Sequence, residues 1–419
     1  MKEAKKLVPQ LRFPEFRNMA DWQDRRIGEF LTESRLPGSK GNVAKKLTVK
    51  LWGNGVFGKN ESIQGSINTQ YFRRKAGQFI YSKLDFLNQA FGVIPPDLDG
   101  FESTVDLPCF DVADELNPVF LLEYVKRKDF YERLGETADG SRKARRIHAE
   151  TFQSFSLARP TPAEQQKIAD CLSSLDELIA AQARKVDTLK THKKGLMQQL
   201  FPREGETQPR LRFPEFRNTG QWLKTPLGKL LIGSPDYGVN AAAVPFSKDL
   251  PKYLRITDIS EDGRYLLDKQ VSVDLEAMDG NYLDQDDIVL ARTGASVGKS
   301  YRYRKEDGRL VFAGFLIRVR PNPKTLISTY LANFLTTDLF WRWVAVTSAR
   351  SGQPGINSTE YSSLSTPLPP NLSEQLRIAN CLTSLDDLIT AATQELATLK
   401  THKKGLMQQL FPSAAELAA

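Results

Sequence analysis

The side chains of this chain that could do chemistry are cations and amides gathered in loops that also carry glycine. In the first half Arg73, Arg74 and Lys75 follow Tyr71 and Phe72, Lys83 closes an apolar run, and a later cluster supplies Arg142, Lys143, Arg145, Arg146 and His148. In the second half the string ARTGASVGKS gives Arg292, Thr293, Ser296 and Lys299, and Arg302 follows it. The string SARSGQPGIN adds Arg350, Ser351, Gln353 and Asn357. Arginine and lysine reach phosphates and the guanine edge, while glutamine and asparagine match adenine. Glycines beside them let a backbone approach a groove. These residues are the candidate DNA-binding set. A single charge run is equally a solvated face, so at this point both readings stand.

Other chemistry finds no support in the residue pattern. Gly294 to Ser300 imitates a phosphate-binding loop, but three residues separate its glycines where four are needed, and no amphipathic helix follows. There is no HExxH and no CxxC. His192 and His402 are copies within a repeat, and His148 sits among arginines. Neither the tetrapeptide of adenine methyltransferases nor nuclease-spaced acids occur, so no catalytic residue and no metal ligand is assigned. Cys109, Cys171 and Cys381 read as small buried thiols of a reducing cytoplasm, with neither disulfide nor zinc spacing. No apolar run approaches the ~20 residues that span a bilayer.

The elements that position these loops are written twice. Residues 188–202 and 398–412 are both TLKTHKKGLMQQLFP, and residues 11–18 and 211–218 are both LRFPEFRN. The second insert is about 10 residues longer than the first. Ile168, Leu172, Leu175, Ile179, Val186, Leu189 and Leu196 follow a heptad spacing, with Gln182 and Lys193 in the same series. Ile378, Leu382, Leu385, Ile389, Leu396, Leu399 and Leu406 repeat it. A narrow apolar seam of this period predicts a long helix suited to pair with another. Thr161-Pro162-Ala163-Glu164 and Asn371-Leu372-Ser373-Glu374 read as capping boxes, and Phe201-Pro202 and Phe411-Pro412 as stops. Each helix should run about 38 residues, roughly 57 Å. Gly195 and Gly405 inside them suggest close backbone approach to a neighbour. Because LFP leads into LRFPEF in mid-chain, the N-terminal block would complete the second copy if the ends met. That order predicts a closed pseudo-twofold arrangement with antiparallel helices.

Between the shared blocks lie divergent inserts, roughly residues 28–158 and 228–368, rich in glycine, proline and β-branched or aromatic residues. Strands are expected at Gln78–Ser82, Tyr253–Ile256, Asp287–Ala291 and Leu310–Arg320, and a helix at Ser328–Thr336. FIYSK ending at Lys83 aligns with IVLAR ending at Arg292, so the inserts are diverged relatives. With 419 residues, 40% hydrophobic and 26% charged, the chain should form more than one domain. Its net charge of +8 favours a polyanionic partner without proving one.

This layout resembles the specificity subunit of type I DNA restriction–modification systems. The resemblance rests on EQQKIADCLSSLDELIAA at 164–181, EQLRIANCLTSLDDLITA at 374–391, the doubled KKGLMQQLFP and LRFPEF, and LARTGASVGKS at 290–300. It implies an α+β protein in which two mixed α/β target-recognition domains are separated by two long antiparallel coiled-coil helices, pseudo-twofold with a circular order of repeats. The corresponding bounds are residues 1–158 and 204–368 for the recognition domains with their repeat blocks, 159–203 and 369–412 for the helices, and 413–419 for a tail. Each recognition domain would read one half of a split, asymmetric double-stranded DNA site. The frame would dock two methyltransferase subunits and, through them, the restriction/translocase subunits. S-adenosylmethionine, ATP and Mg would be bound by those partners, and this cytoplasmic chain would hold no cofactor and do no bond chemistry. Two other classes remain open on the residues alone: a coiled-coil scaffold whose two domains bind a non-nucleic-acid partner, and a single-chain methylase–nuclease.

Overall fold

The computed structural model describes residues 7–59, 65–135, 146–276, 279–349 and 352–412. It divides into two units: residues 1–183 with 394–419, and residues 184–393. Helices and sheets are mixed in both, an α+β architecture. Two 39-residue helices, Pro162–Leu200 and Leu372–Leu410, dominate the helical content. Each divides between the units, so the first unit is built from both ends of the chain.

The first unit is centred on a four-stranded antiparallel sheet in the order Leu31–Glu33, Cys109–Val112, Phe79–Tyr81, Phe91–Val93. Phe79, Ile80 and Tyr81 are wholly buried, as a short uninterrupted apolar run in a sheet interior should be. A two-stranded ribbon, Gln23–Arg26 with Ser156–Arg159, ties the start of the insert to its end. Beside them lie a three-stranded sheet of Pro37–Lys40, Gln70–Arg73 and Glu102–Ser103, and a hairpin of Leu47–Val49 with Val56–Gly58. Trp22, Phe120, Ile168 and Leu172 share one core with Leu410 and Phe411 from the end of the second long helix.

The second unit repeats the central sheet as Asp236–Tyr237, Leu316–Val319, Ile288–Ala291, Ser300–Arg302, again antiparallel. Its ribbon is Leu223–Pro226 with Ser365–Leu368. Its other sheet is different: Ala243–Pro245, Val271–Val273, Lys252–Leu254 and Leu310–Phe312, the last two parallel. The apolar run Leu310–Arg320, expected as one strand, is therefore two strands in two sheets. Gly314 and Phe315 lie at the break, where the Gly314 N–H donates to the Val239 carbonyl (2.8 Å). Here Trp222, Tyr330, Ile378 and Leu382 are packed with Leu200 and Phe201 of the first long helix.

A buried clasp closes each unit. In the first, Arg12 gives two hydrogen bonds (2.8 and 2.7 Å) to the Glu164 carboxylate, which also accepts the Trp22 indole N–H at 3.2 Å. In the second, Arg212 donates at 2.6 and 2.7 Å to Glu374, and Trp222 at 3.2 Å. These hydrogen bonds hold both guanidinium groups above their ordinary pKa. The capping-box expectation is half met at the first helix, where Thr161 Oγ1 accepts the Glu164 N–H (3.4 Å), but the Glu164 and Glu374 carboxylates turn away from the helix start to hold an arginine. A buried charge must find a full partner, and that requirement outweighs an exposed cap.

None of the fourteen seam residues is exposed, whereas Leu178 and Leu388, off the seam, are 57% and 54% exposed. In the first unit Lys403 meets Asp176 (2.6 Å) and Glu123 (2.9 Å), and Gln182 donates to Glu395 (2.8 Å). In the second, Lys193 meets Asp386 (2.6 Å). The helical glycines do not behave as expected. A Cβ at Gly195 or Gly405 would meet nothing within 4 Å. No helix among the described residues is long and apolar enough to cross a membrane.

Candidate nucleic-acid interface

In the second unit two loops that are 60 residues apart in sequence meet edge to edge. The strand Ile288–Ala291 ends at Arg292, whose N–H donates to the Phe315 carbonyl (3.0 Å) and whose carbonyl accepts from the Ile356 N–H (2.8 Å). One residue on, Thr293 bridges to Gly355, and the Gly294 N–H donates to the Pro354 carbonyl at 3.0 Å. Gly294 has φ +74° and an added Cβ there would lie 3.2 Å from Gln353 Nε2, so the glycine admits the neighbouring loop. Arg292, Thr293, Ser296 and Gln353 are thereby brought to one place, and Gln353 is exposed. The short helix Ser358–Ser363 anchors the second loop: Asn357 accepts the Glu360 N–H and its own N–H is held by the Glu360 carboxylate.

Arg292 is the centre of this arrangement. Its guanidinium lies 4.8 Å from the Tyr237 ring centroid, and its Nε has no hydrogen-bond partner among the described residues. Tyr237 was not anticipated from the sequence. It reaches this position because Gly238 follows it: a Cβ at Gly238 would sit 2.2 Å from the Phe312 carbonyl oxygen, so only glycine fits. The Tyr237 hydroxyl donates to Ser358 Oγ (3.3 Å) and accepts the Ser358 N–H (3.1 Å). That hydrogen bonding, aided by Arg292, holds its pKa below the ordinary phenol value. Phe315, 59% exposed, is a second aromatic missed from sequence, because its place depends on the strand break.

The other residues of this half are less available. Lys299 pairs with Glu261 (2.8 Å) and Arg302 with Asp286 (3.0 Å). Asn357 is occupied as a helix cap rather than presenting its amide oxygen outward. Arg350 and Ser351 lie outside the described residues. The string at 294–300 runs into the strand Ser300–Arg302, not a helix.

In the first unit the same junction is built from different residues. The Ile147 N–H donates to the Lys83 carbonyl (3.1 Å), as Ile356 does to Arg292, and the Ile147 carbonyl accepts the Tyr81 hydroxyl (3.1 Å). Lys83 is half-buried, Arg146 exposed, and His148 stands at the N-cap of the helix Ala149–Gln153 without capping it through its side chain. Arg142, Lys143 and Arg145 lie outside the described residues. Arg73 and Lys75 are exposed. Arg74 is a correction: it is 2% exposed and donates to Ser103 Oγ (2.8 Å) and the Ser34 carbonyl (2.7 Å). Neighbouring side chains in extended chain point to opposite sides, so the middle cation of the three turns inward. Burial pushes its pKa down.

Among the described residues no group of three metal-ligating side chains occurs. Cys109 is buried, donates to Gln78 Oε1 (3.1 Å) and has its pKa pushed up to about 12 by burial, while Cys171 and Cys381 are half-buried.

The comparisons with known proteins agree with this architecture. A family model described as the type I restriction modification DNA specificity domain matches residues 235–401. A putative type I restriction enzyme MjaX specificity subunit of Methanocaldococcus jannaschii is 32% identical over 119 residues, 27% of this chain and 27% of that protein. The match thus spans about a quarter of that relative's length. The type I restriction enzyme MjaVIII specificity subunit of the same organism is 22% identical over 423 residues, covering 96% of this chain and 93% of the relative. Among solved structures, the type I restriction–modification S subunit from M. genitalium has TM-score 0.58 at 15% identity, covering 97% of this chain and all of that one. A chain from work on complex assembly and conformational transition of the type I R-M system has TM-score 0.56 at 16% identity, covering 94% and 98%. Those two likenesses establish the fold.

Residues 235–401 of this α+β chain are thus similar to a type I restriction modification DNA specificity domain. Along nearly its whole length the chain is similar to a type I restriction enzyme specificity subunit.

Proposed function

We propose that this chain reads a bipartite, asymmetric DNA site and scaffolds the enzymes that act there. Each unit is a target-recognition domain that reads one half-site from the major groove, where each base pair has its own donor and acceptor pattern. The observation that carries the proposal is the shared junction: Ile147 N–H to Lys83 and Ile356 N–H to Arg292 present two unlike loop pairs from one frame. Arg292 is the leading base or phosphate contact in the second unit, since it stands where the two loops meet and the Tyr237 ring supports its guanidinium.

In this reading the two long helices pair antiparallel as a coiled coil and set the number of unread base pairs between the half-sites. The shielded seams support the pairing, as do contacts that step forward along one helix and backward along the other, Asp176 to Lys403 and Gln182 to Glu395. The frame docks two methyltransferase subunits, which carry S-adenosylmethionine and methylate adenine N6, and through them the restriction subunits with their ATP and Mg. Adenine methylation requires a base taken out of the stack, so the reader must hold opened DNA beside its partner.

Adding four residues, about one turn, to one long helix tests this. The recognised motif should keep both half-sites and gain a wider unread gap; an unchanged gap would refute the spacer role. Binding to duplex DNA should also fall steeply with salt as counterions are released. Salt-independent binding would favour a scaffold for a non-nucleic partner.

A further inference from the structure

Trp52 stands largely outside the core of its own unit. It is 62% exposed, against 3% and 4% for Trp22 and Trp222 on the frame. It lies in the turn of the hairpin Leu47–Val49 with Val56–Gly58, and its φ is +60°. Bulky residues avoid that left-handed region, and an outlier of this kind points toward function. The turn is latched to a second loop: the Trp52 N–H donates to the Asn88 carbonyl (2.7 Å) and the Gly53 N–H to the Gln89 carbonyl (2.9 Å). Gln89 is itself left-handed, at φ +54°. The loop so gripped is the one that starts at Lys83, the junction residue of the first unit's candidate interface.

The chemistry around the indole selects its ligand. Residues 50–59 contain two lysines and no acid. Lys50 Nζ lies 4.7 Å from the Phe57 ring, which is 46% exposed, and Leu51 and Leu84 are 38% and 45% exposed. Exposed aromatics with cations and amides, beside the loop that starts at Lys83 and in which Asp85 is engaged by Ser82 and Asn88, match a flat heteroaromatic plate carried on a polyanion. We infer that Trp52 is a stacking wedge, held out by the paired left-handed turns at 52 and 89 so that its indole stacks on a nucleobase at an opened step of the half-site read by the first unit. The inference rests on the proposed DNA-reading function. Side-chain wedges of this type unstack a base step and are repaid by stacking.

The test uses the full-length chain and a duplex that the wild-type chain selects from a randomised library, with 2-aminopurine replacing one adenine at a time. Trp52→Ala should bind that duplex on the order of ten- to a hundredfold more weakly, with an unchanged melting curve. It should also abolish a 2-aminopurine fluorescence change confined to the first unit's half-site, and Trp52→Phe should restore most of both. Wild-type affinity and fluorescence in Trp52→Ala would overturn the wedge while leaving DNA reading intact. Failure of the wild-type chain to select any duplex would bring down both.

Discussion

The two units share a frame and differ in what the frame carries. Both close with arginine, glutamate and tryptophan in the same geometry, and both bring an isoleucine N–H to a residue just past the end of a central strand. Both use a glutamine at the start of a long helix, Gln165 or Gln375, to accept a backbone N–H from the insert, at Asn117 and Ile327. The secondary sheets, by contrast, have different strand counts and one parallel pair in the second unit only. The exposed aromatics also differ: Tyr237 lies against Arg292 in the second unit, while in the first Trp52 stands out from a turn latched to Asn88 and Gln89 through its backbone. Buried polar contacts that would be costly to break are kept, and surface loops that cost little to vary have diverged. That is the division expected if one machine carries two specificities.

The largest effect should come from the clasp. Arg12→Ala leaves Glu164 buried and unpaired, and Arg212→Ala does the same to Glu374; each should cost about 3–5 kcal/mol. Denaturant melts of both variants would check this, and a loss in only one would break the equivalence of the frames. Next is Arg292→Ala, which should weaken duplex binding by about 1–3 kcal/mol and relax preference in one half-site. Anisotropy titration against cognate and altered duplexes measures it, and unaltered preference would remove Arg292 from the reading surface.

The smallest effects are electrostatic and differ in sign between the units. Burial raises the Glu123 carboxyl, but Lys126 and Lys403 overcome it and hold its pKa below the ordinary range. A carboxyl depressed in the fold contributes stability above its unfolded pKa, and that contribution is lost as pH falls through the folded value. Glu123→Gln should therefore flatten the acid limb of the first unit's stability. Asp287 in the second unit is the opposite case: burial raises its pKa from 3.8 to about 6, with Arg318 only partly offsetting. There the folded state holds the extra proton, so stability falls as pH rises from about 4 to 6. Asp287→Asn should remove that decline. pH-dependent melting of the two variants would show opposite changes, and changes of the same sign would contradict the assignment.

The long helices were legible because a heptad series over many turns is a strong local signal, and the helices extend within a residue or two of the expected ends. The central strands were legible as short apolar runs, Phe79–Tyr81 and Ile288–Ala291. Long-range partners were not. Glu164 looked like a cap because its neighbours in sequence suggested one, whereas its partner Arg12 is 152 residues away. Arg74 looked like a surface cation because charge alone does not show which way extended chain turns. The meeting of the Arg292 and Gln353 loops depends on sheet registers that sequence does not state, and Tyr237 carried no signal beyond the glycine after it. Nothing in the Trp-Gly-Asn-Gly string at 52–55 states that its tryptophan stands outside.

The most direct test replaces residues 28–158 with the corresponding insert of a type I specificity subunit to which the chain is similar and determines the DNA motif selected from a randomised duplex library. The account predicts that one half-site changes while the other half-site and the gap between them stay as in the wild type. A motif altered at both ends, or one continuous motif without a gap, would contradict it.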